Sequence, residues 1–206
     1  VTVTLKKDGS NCTACNGYTI GVSSSSTSFS AVGTAQTTTT TATIDLTGAF
    51  KPGTDYYLWV GKDSNHKTDK VYSGVSFKIT SGQTSTTATV NFYTITGALS
   101  NATYKLNGTA LANGGTMVVL GGTGTASSSY AHTIAATANT GYALTGTIWT
   151  TSSTSTTIAS ATTASTTFKV AAAATLTATA NGGASTNKVT VTLKKDGSNC
   201  TACNGY

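Results

Sequence analysis

Residues 1–18, VTVTLKKDGSNCTACNGY, recur without a change as residues 189–206. Eighteen consecutive identities do not arise by chance, and identity at a fixed offset marks a repeated unit. The offset is 188 residues, so the 206-residue chain reads as one whole unit followed by the opening of a second copy. No other feature constrains the fold as much: whatever role 1–18 plays must be one that an identical segment can play again. Two arrangements meet that condition. In the first, the parent polypeptide is a tandem array on which the chain is a window. In the second, the terminal strand of one chain replaces the first strand of its neighbour, a strand-addition joint. An overlap introduced in cloning is the trivial third. The first two imply a linear assembly of the chain with copies of itself.

Strand signals run throughout the unit, and helical periodicity is almost absent. Val1, Val3 and Leu5 alternate with Thr and Lys and reach a turn at Asp8-Gly9; Tyr18, Ile20 and Val22 alternate next, then Ala42, Ile44 and Leu46. Lys51-Pro52-Gly53-Thr54 is a turn, with Pro setting φ and Gly supplying the permissive position after it. Tyr56, Leu58 and Val60 predict a strand whose other face carries Tyr57 and Trp59, and strands around Val71–Ile79 and Thr86–Thr94 close the set. Six or seven short strands in about 95 residues predict a β-sandwich. The second half predicts a strand into a turn at Tyr104–Gly108, strands around Met117–Leu120, Ile134–Ala138, Phe168–Val170 and Leu176–Ala180, and a Ser/Thr loop at 150–157. The Gly-rich stretch 182–187 is the expected linker. The expected fold class is therefore all-β. Each repeat unit would hold two small β-sandwich or β-grasp-like domains, at 1–95 and 96–187, with 188–206 beginning the next copy in a head-to-tail array.

Composition agrees with that reading and excludes others. Thr contributes 48 residues and Ser 23, while charged residues make up only 9%, with no Arg and no Glu. Thr is β-branched, so it suits a pleated strand, and its hydroxyl tolerates a solvent face. A mucin-like stalk is the other reading of such richness, but a single Pro and clear alternation favour folded strands. The +6 charge is too thinly spread for disorder by charge. Its scattered Lys residues lack the clustering and aromatic interleaving of a nucleic-acid surface. No apolar run approaches the roughly 18–20 residues of a membrane span. The chain begins at Val without a signal-peptide pattern, the expected form of a mature or excised piece.

The first half resembles the prealbumin-like β-sandwiches of bacterial surface proteins, the collagen-adhesin B-type and carboxypeptidase-regulatory-like domains. VTVTLKKDG, FKPGTDYYLWV and FKITSGQTSTTATVNF carry the likeness. The second half resembles an internalin-type B-repeat through GYALTGTIW and TTFKVAAAATLTATANGG. The resemblance implies extracellular modules of stalks and adhesive arrays, without catalysis. Some relatives of the first domain carry a Lys–Asn isopeptide bond formed with a nearby acid. Lys6 or Lys7 and Asn91 stand in matching places, the family's Glu is replaced by Val60, and Asp45 is the substitute acid.

Cys12-x-x-Cys15 and its copy Cys200-x-x-Cys203 hold all four cysteines. A redox pair needs a helix start in a βαβ setting and a zinc site needs two further ligands, whereas His66 and His132 lie far apart in sequence and read as surface-loop residues. A disulfide is expected, either closing the short loop or stapling neighbouring units. The N-x-Ser/Thr triplets at Asn11, Asn101, Asn107 and Asn199 are glycosylation candidates of the kind any Thr-rich chain contains. Asp55 lies near, and Asp63 and Asp69 within, the polar stretch GKDSNHKTDK, which reads as a solvated loop because Lys interleaves with the acids and no calcium-loop spacing is present. No Ser-His-Asp arrangement or phosphate loop stands out, and no cofactor or metal is expected. The functional expectation is an extracellular or cell-surface structural unit of a fibre, filament or stalk, not an enzyme. The alternative is an adhesin array presenting Tyr56, Tyr57, Trp59 or Trp149 to glycans or a host surface.

Overall fold

The computed structural model describes residues 1–46, 50–122, 130–182, 192–195 and 198–199. Every regular element among them is a strand. In chain order these are β1 (Thr2–Lys7), β2 (Ser10–Asn11), β3 (Thr19–Ser23), β4 (Gly33–Gln36), β5 (Thr41–Thr43), β6 (Asp55–Asp63), β7 (His66–Lys78) and β8 (Thr87–Ser100). There follow β9 (Ala102–Leu106), β10 (Thr109–Leu111), β11 (Thr116–Gly121), β12 (His132–Ala138), β13 (Tyr142–Ala143) and β14 (Trp149–Thr151). Last come β15 (Thr156–Ile158), β16 (Ser165–Val170), β17 (Ala174–Thr179), β18 (Asn181–Gly182), β19 (Lys194–Lys195) and β20 (Ser198–Asn199). The all-β expectation holds. The stretch expected to be a Ser/Thr loop at 150–157 instead contributes Thr150 and Thr151 to β14 and Thr156 and Thr157 to β15, which pair with β17 and β16. Thr takes either state locally, and pairing with a neighbour decides between them.

Alternation of Thr with apolar residues explains why β1 buries one face. Val3 and Leu5 point into a core with Ile20, Val22, Leu58, Val60, Val90 and Phe92. A second cluster gathers Ile95, Tyr104, Leu106, Met117, Val119, Ile134, Trp149, Phe168 and Leu176. The boundary expected at 95/96 falls inside β8, an unbroken strand of 14 residues whose first half lines one cluster and whose second half lines the other.

β8 is the spine of the molecule. β1 runs parallel to it from Thr2 opposite Thr87 to Lys7 opposite Phe92, and β17 runs parallel to it from Ala174 opposite Ile95 to Thr179 opposite Ser100. β11 pairs antiparallel with β8 from Asn91 to Thr96. Asn91 therefore lies between Lys6 and Gly121, and Ile95 between Ala174 and Met117. A strand residue has one neighbour on each edge, so β1 and β17 share the edge of β8 that faces away from β11. They lie end to end and run in the same sense. The chain thus starts along one end of the spine and leaves past the other.

Around β8, β3 pairs with β4 and β6, β6 pairs with β7, and β5 pairs with β1, enclosing the first core. A separate sheet in the order β10-β9-β12-β16-β15 covers the second. Val119 of β11 pairs with Asp63 at the end of β6, joining the two halves a second time.

Candidate functional site

Two constellations stand out: the duplicated terminal hairpin and a polar cluster between the cores. In the first copy, Asp8 and Gly9 both adopt left-handed backbone, φ 51° and 85°, and connect Lys7 to its partner Ser10. Two left-handed residues in a two-residue loop match the twist of the strands they join, which is why Asp-Gly is favoured there. Asp8 also accepts hydrogen bonds from Thr94 N at 2.8 Å and Thr94 Oγ1 at 2.6 Å, fastening the turn to β8. In the second copy, Lys194 pairs with Asn199 and Lys195 with Ser198, the register of Lys6 with Asn11 and Lys7 with Ser10. The same hairpin therefore forms in both copies. What differs is the cover: Leu5 is 0% exposed in the first core and its counterpart Leu193 is 41% exposed.

Cys12 and Cys15 form a disulfide, which settles their pairing in favour of the short loop. Both are buried, and Cys12 N donates to Leu5 O at 3.0 Å, so the loop folds back over β1. Thr37 and Thr40 donate their hydroxyls to the carbonyls of Cys15 and Cys12. Cys200 and Cys203 lie outside the described residues.

The polar cluster centres on Asp63, whose carboxylate is fully buried although the sequence reads as a solvated loop. Gly61 makes this possible: a Cβ there would lie 2.2 Å from Lys67 O, so only Gly lets the β6–β7 hairpin close this tightly. Asp63 Oδ1 accepts from Asn65 N at 2.8 Å and His66 N at 2.9 Å, and His66 Nδ1 donates to Oδ1 at 2.9 Å. From the second half, Asn107 Nδ2 donates to Asp63 Oδ2 at 2.6 Å and lies 2.9 Å from His132 Nδ1. Asn107 sits in another two-residue loop, Asn107-Gly108, with φ 50° and 87°. His132 is fully buried, contrary to its reading as a surface-loop residue, and its Nε2 contacts Leu120 O at 2.7 Å. The carbonyl can only accept, so His132 donates from Nε2 and accepts at Nδ1 from Asn107, the pattern of a neutral ring. Burial pushes the imidazole down to about 4, against the pull of the Leu120 carbonyl and of Asp63, which favour the charged ring. Every polar group named here has a partner, so the cluster acts as a bolt between the halves.

The other candidates are dispersed. Lys6 is the register partner of Asn91 and Lys7 of Phe92, whereas Asp45 lies two residues past Thr43, the partner of Thr2, at the opposite end of β1. Asn11 and Asn199 are exposed on the two hairpins, and Asn101 is exposed in the β8–β9 turn. Asn107 is half-buried, and a glycan on its Nδ2 would take the place of its bonds to Asp63 and His132. Asp55 and Asp69 form surface ion pairs with Lys78 and Lys62. Tyr56 and Trp149 are buried inside the two cores. Trp59, on the outer face of β6, is covered by Phe29 at 5.7 Å and donates from Nε1 to Ser25 O, with Tyr57 half-buried beside Tyr72. Among the described residues no group of three His, Cys, Asp or Glu side chains is arranged to hold a metal, and no helix is long and apolar enough to cross a membrane.

No protein family, curated protein or solved structure matches the chain.

Proposed function

We propose that the chain is a structural unit of an extracellular fibre, filament or stalk, joined head to tail with copies of itself. The observation that carries this reading is the end-to-end placement of β1 and β17 along one edge of β8. A chain that leaves in the sense in which it began, bearing a copy of its own first hairpin, suits head-to-tail repetition. Contacts of this kind do not close on themselves and generate open assemblies. A cavity of about 340 Å³ lined by Val1, Ile44, Leu46, Phe50 and Ile79 lies at the end where β1 begins, the end that a preceding unit would approach. The buried disulfide suits an oxidising compartment outside the cell. Burial of Tyr56, Trp59 and Trp149 supports a structural role over adhesion through those rings.

Electron microscopy of the native assembly, with the chain traced between units, tests the proposal. Linear particles in which density runs on from Tyr206 into a further unit, as Tyr18 runs on into Thr19 here, are expected for the array, and a chain end seated in a neighbouring sandwich for strand addition. Isolated globular monomers under native conditions overturn the reading.

A further inference from the structure

The first copy of the hairpin shows what the second is equipped to do. β1 places Leu5 in the first core, opposite Val90, and its other edge pairs with β5. The terminal copy has the same sequence and the same hairpin register, but Thr192, Leu193 and Lys194 are exposed.

Its own sandwich is beyond its reach. The place of β1 starts where Thr2 N donates to Thr86 O, beside Thr87. Gly182 lies past the other end of β8, because Ala180 N donates to Ser100 O. From Thr87 to Ser100 is thirteen strand steps, roughly 43 Å at about 3.3 Å each. Seven residue steps separate Gly182 from Val189, a span of at most about 25 Å even when fully extended.

We infer that the terminal hairpin of β19 and β20 fills the β1–β2 position of a second copy, with Leu193 in the socket that Leu5 occupies here. This joint rests on the fibre reading and names its partner. In it Leu193 lies opposite the second copy's Val90 and Lys194 opposite its Asn91, parallel to that copy's β8, while Thr192 pairs antiparallel with its β5, as Thr4 does here. The recognition is main-chain laddering, with the Leu193 side chain seated in the core. Because the two segments are identical, displacing an intact resident β1 gains no contacts. The acceptor is therefore a copy whose first strand is this segment itself, by continuation of the chain, or one whose own β1 is impaired.

Full-length variants test the joint. Leu5→Asp impairs the resident strand and leaves the terminal copy intact, Leu193→Asp does the reverse, and the double variant impairs both. Size-exclusion chromatography with light scattering should give Leu5→Asp masses of two chains and more, rising with concentration. Leu193→Asp should stay at the mass of one chain, and the double variant should not assemble. A folded Leu5→Asp monomer, or assembly of the double variant to the same extent, overturns the inference. Should Leu5→Asp fail to fold when dilute, adding the oxidised peptide of residues 189–206 is the second measurement. Restored folding with one peptide per chain supports the socket, and no binding overturns it. Native fibres together with a monomeric, folded Leu5→Asp would defeat this joint while leaving the fibre reading standing. Leu193-dependent oligomers from a protein whose native form is a globular monomer would defeat the fibre reading instead.

Discussion

His132 and Asp63 are each fully buried, and each depends on Asn107 for a partner. An ordinary histidine takes up its proton near 6.5, as His132 does in the unfolded chain, whereas the buried ring does so only at about 4. Above pH 6.5 both states are neutral at this site. As pH falls from 6.5 towards 4 the unfolded chain binds the proton first, so folding stability drops by about 3 kcal/mol across that window. Urea unfolding at a series of pH values should show this loss. His132→Gln, which keeps a donor for Leu120 O and an acceptor for Asn107, should flatten the curve between pH 6.5 and 4; an unchanged slope would assign the effect to other groups. None of this is visible in the sequence. Asn107-Gly108 announces a turn, but its side chain meets Asp63 only because strands 44 residues apart are brought together. The Lys residues around Asp63 made its segment look solvated, while Gly61, two residues before it, carried the available hint of a tight approach.

At the scale of elements, the two hairpins closed by Asp8-Gly9 and Asn107-Gly108 were legible because their turn chemistry is local. The β6–β7 hairpin was not, since its closure depends on the missing side chain of Gly61. Gly61→Ala drives a Cβ into the Lys67 main chain, which cannot move aside as a side-chain tip would. The expected loss is about 1–3 kcal/mol, read from the urea midpoint and accompanied by earlier hydrogen exchange at Asn65 and His66. The Cys12–Cys15 loop lends β1 a different kind of support. Cross-linking so short a loop removes little unfolded-state entropy, so the double substitution of Cys12 and Cys15 by Ser should lower stability by about 2 kcal/mol. Both sulfurs are buried, so mild reductant should open the bond only as fast as the loop unfolds. Fast reduction in the native state would contradict that burial.

For the whole molecule, β8 belongs to two cores at once, and β11 and the Asp63 cluster tie them again. Calorimetry should therefore show one unfolding transition for the two halves together. Asp63→Ala, which takes the acceptor away from Asn107 and from the Asn65 and His66 amides, should separate it into two; resolved transitions in the unaltered protein would show that β8 does not couple the cores. The sequence by itself determined the strand content, the turns and the repeat, because alternation, turn chemistry and identity are local properties of the chain. Only the tertiary structure decided that β1 and β17 share one edge of β8, that an outer-face Trp59 is roofed by Phe29, and that Asp63 is buried. Parallel pairing between strands some 85 residues apart leaves no local signature. It depends on which edges remain free once the hairpins have formed, and that is settled only when the cores close.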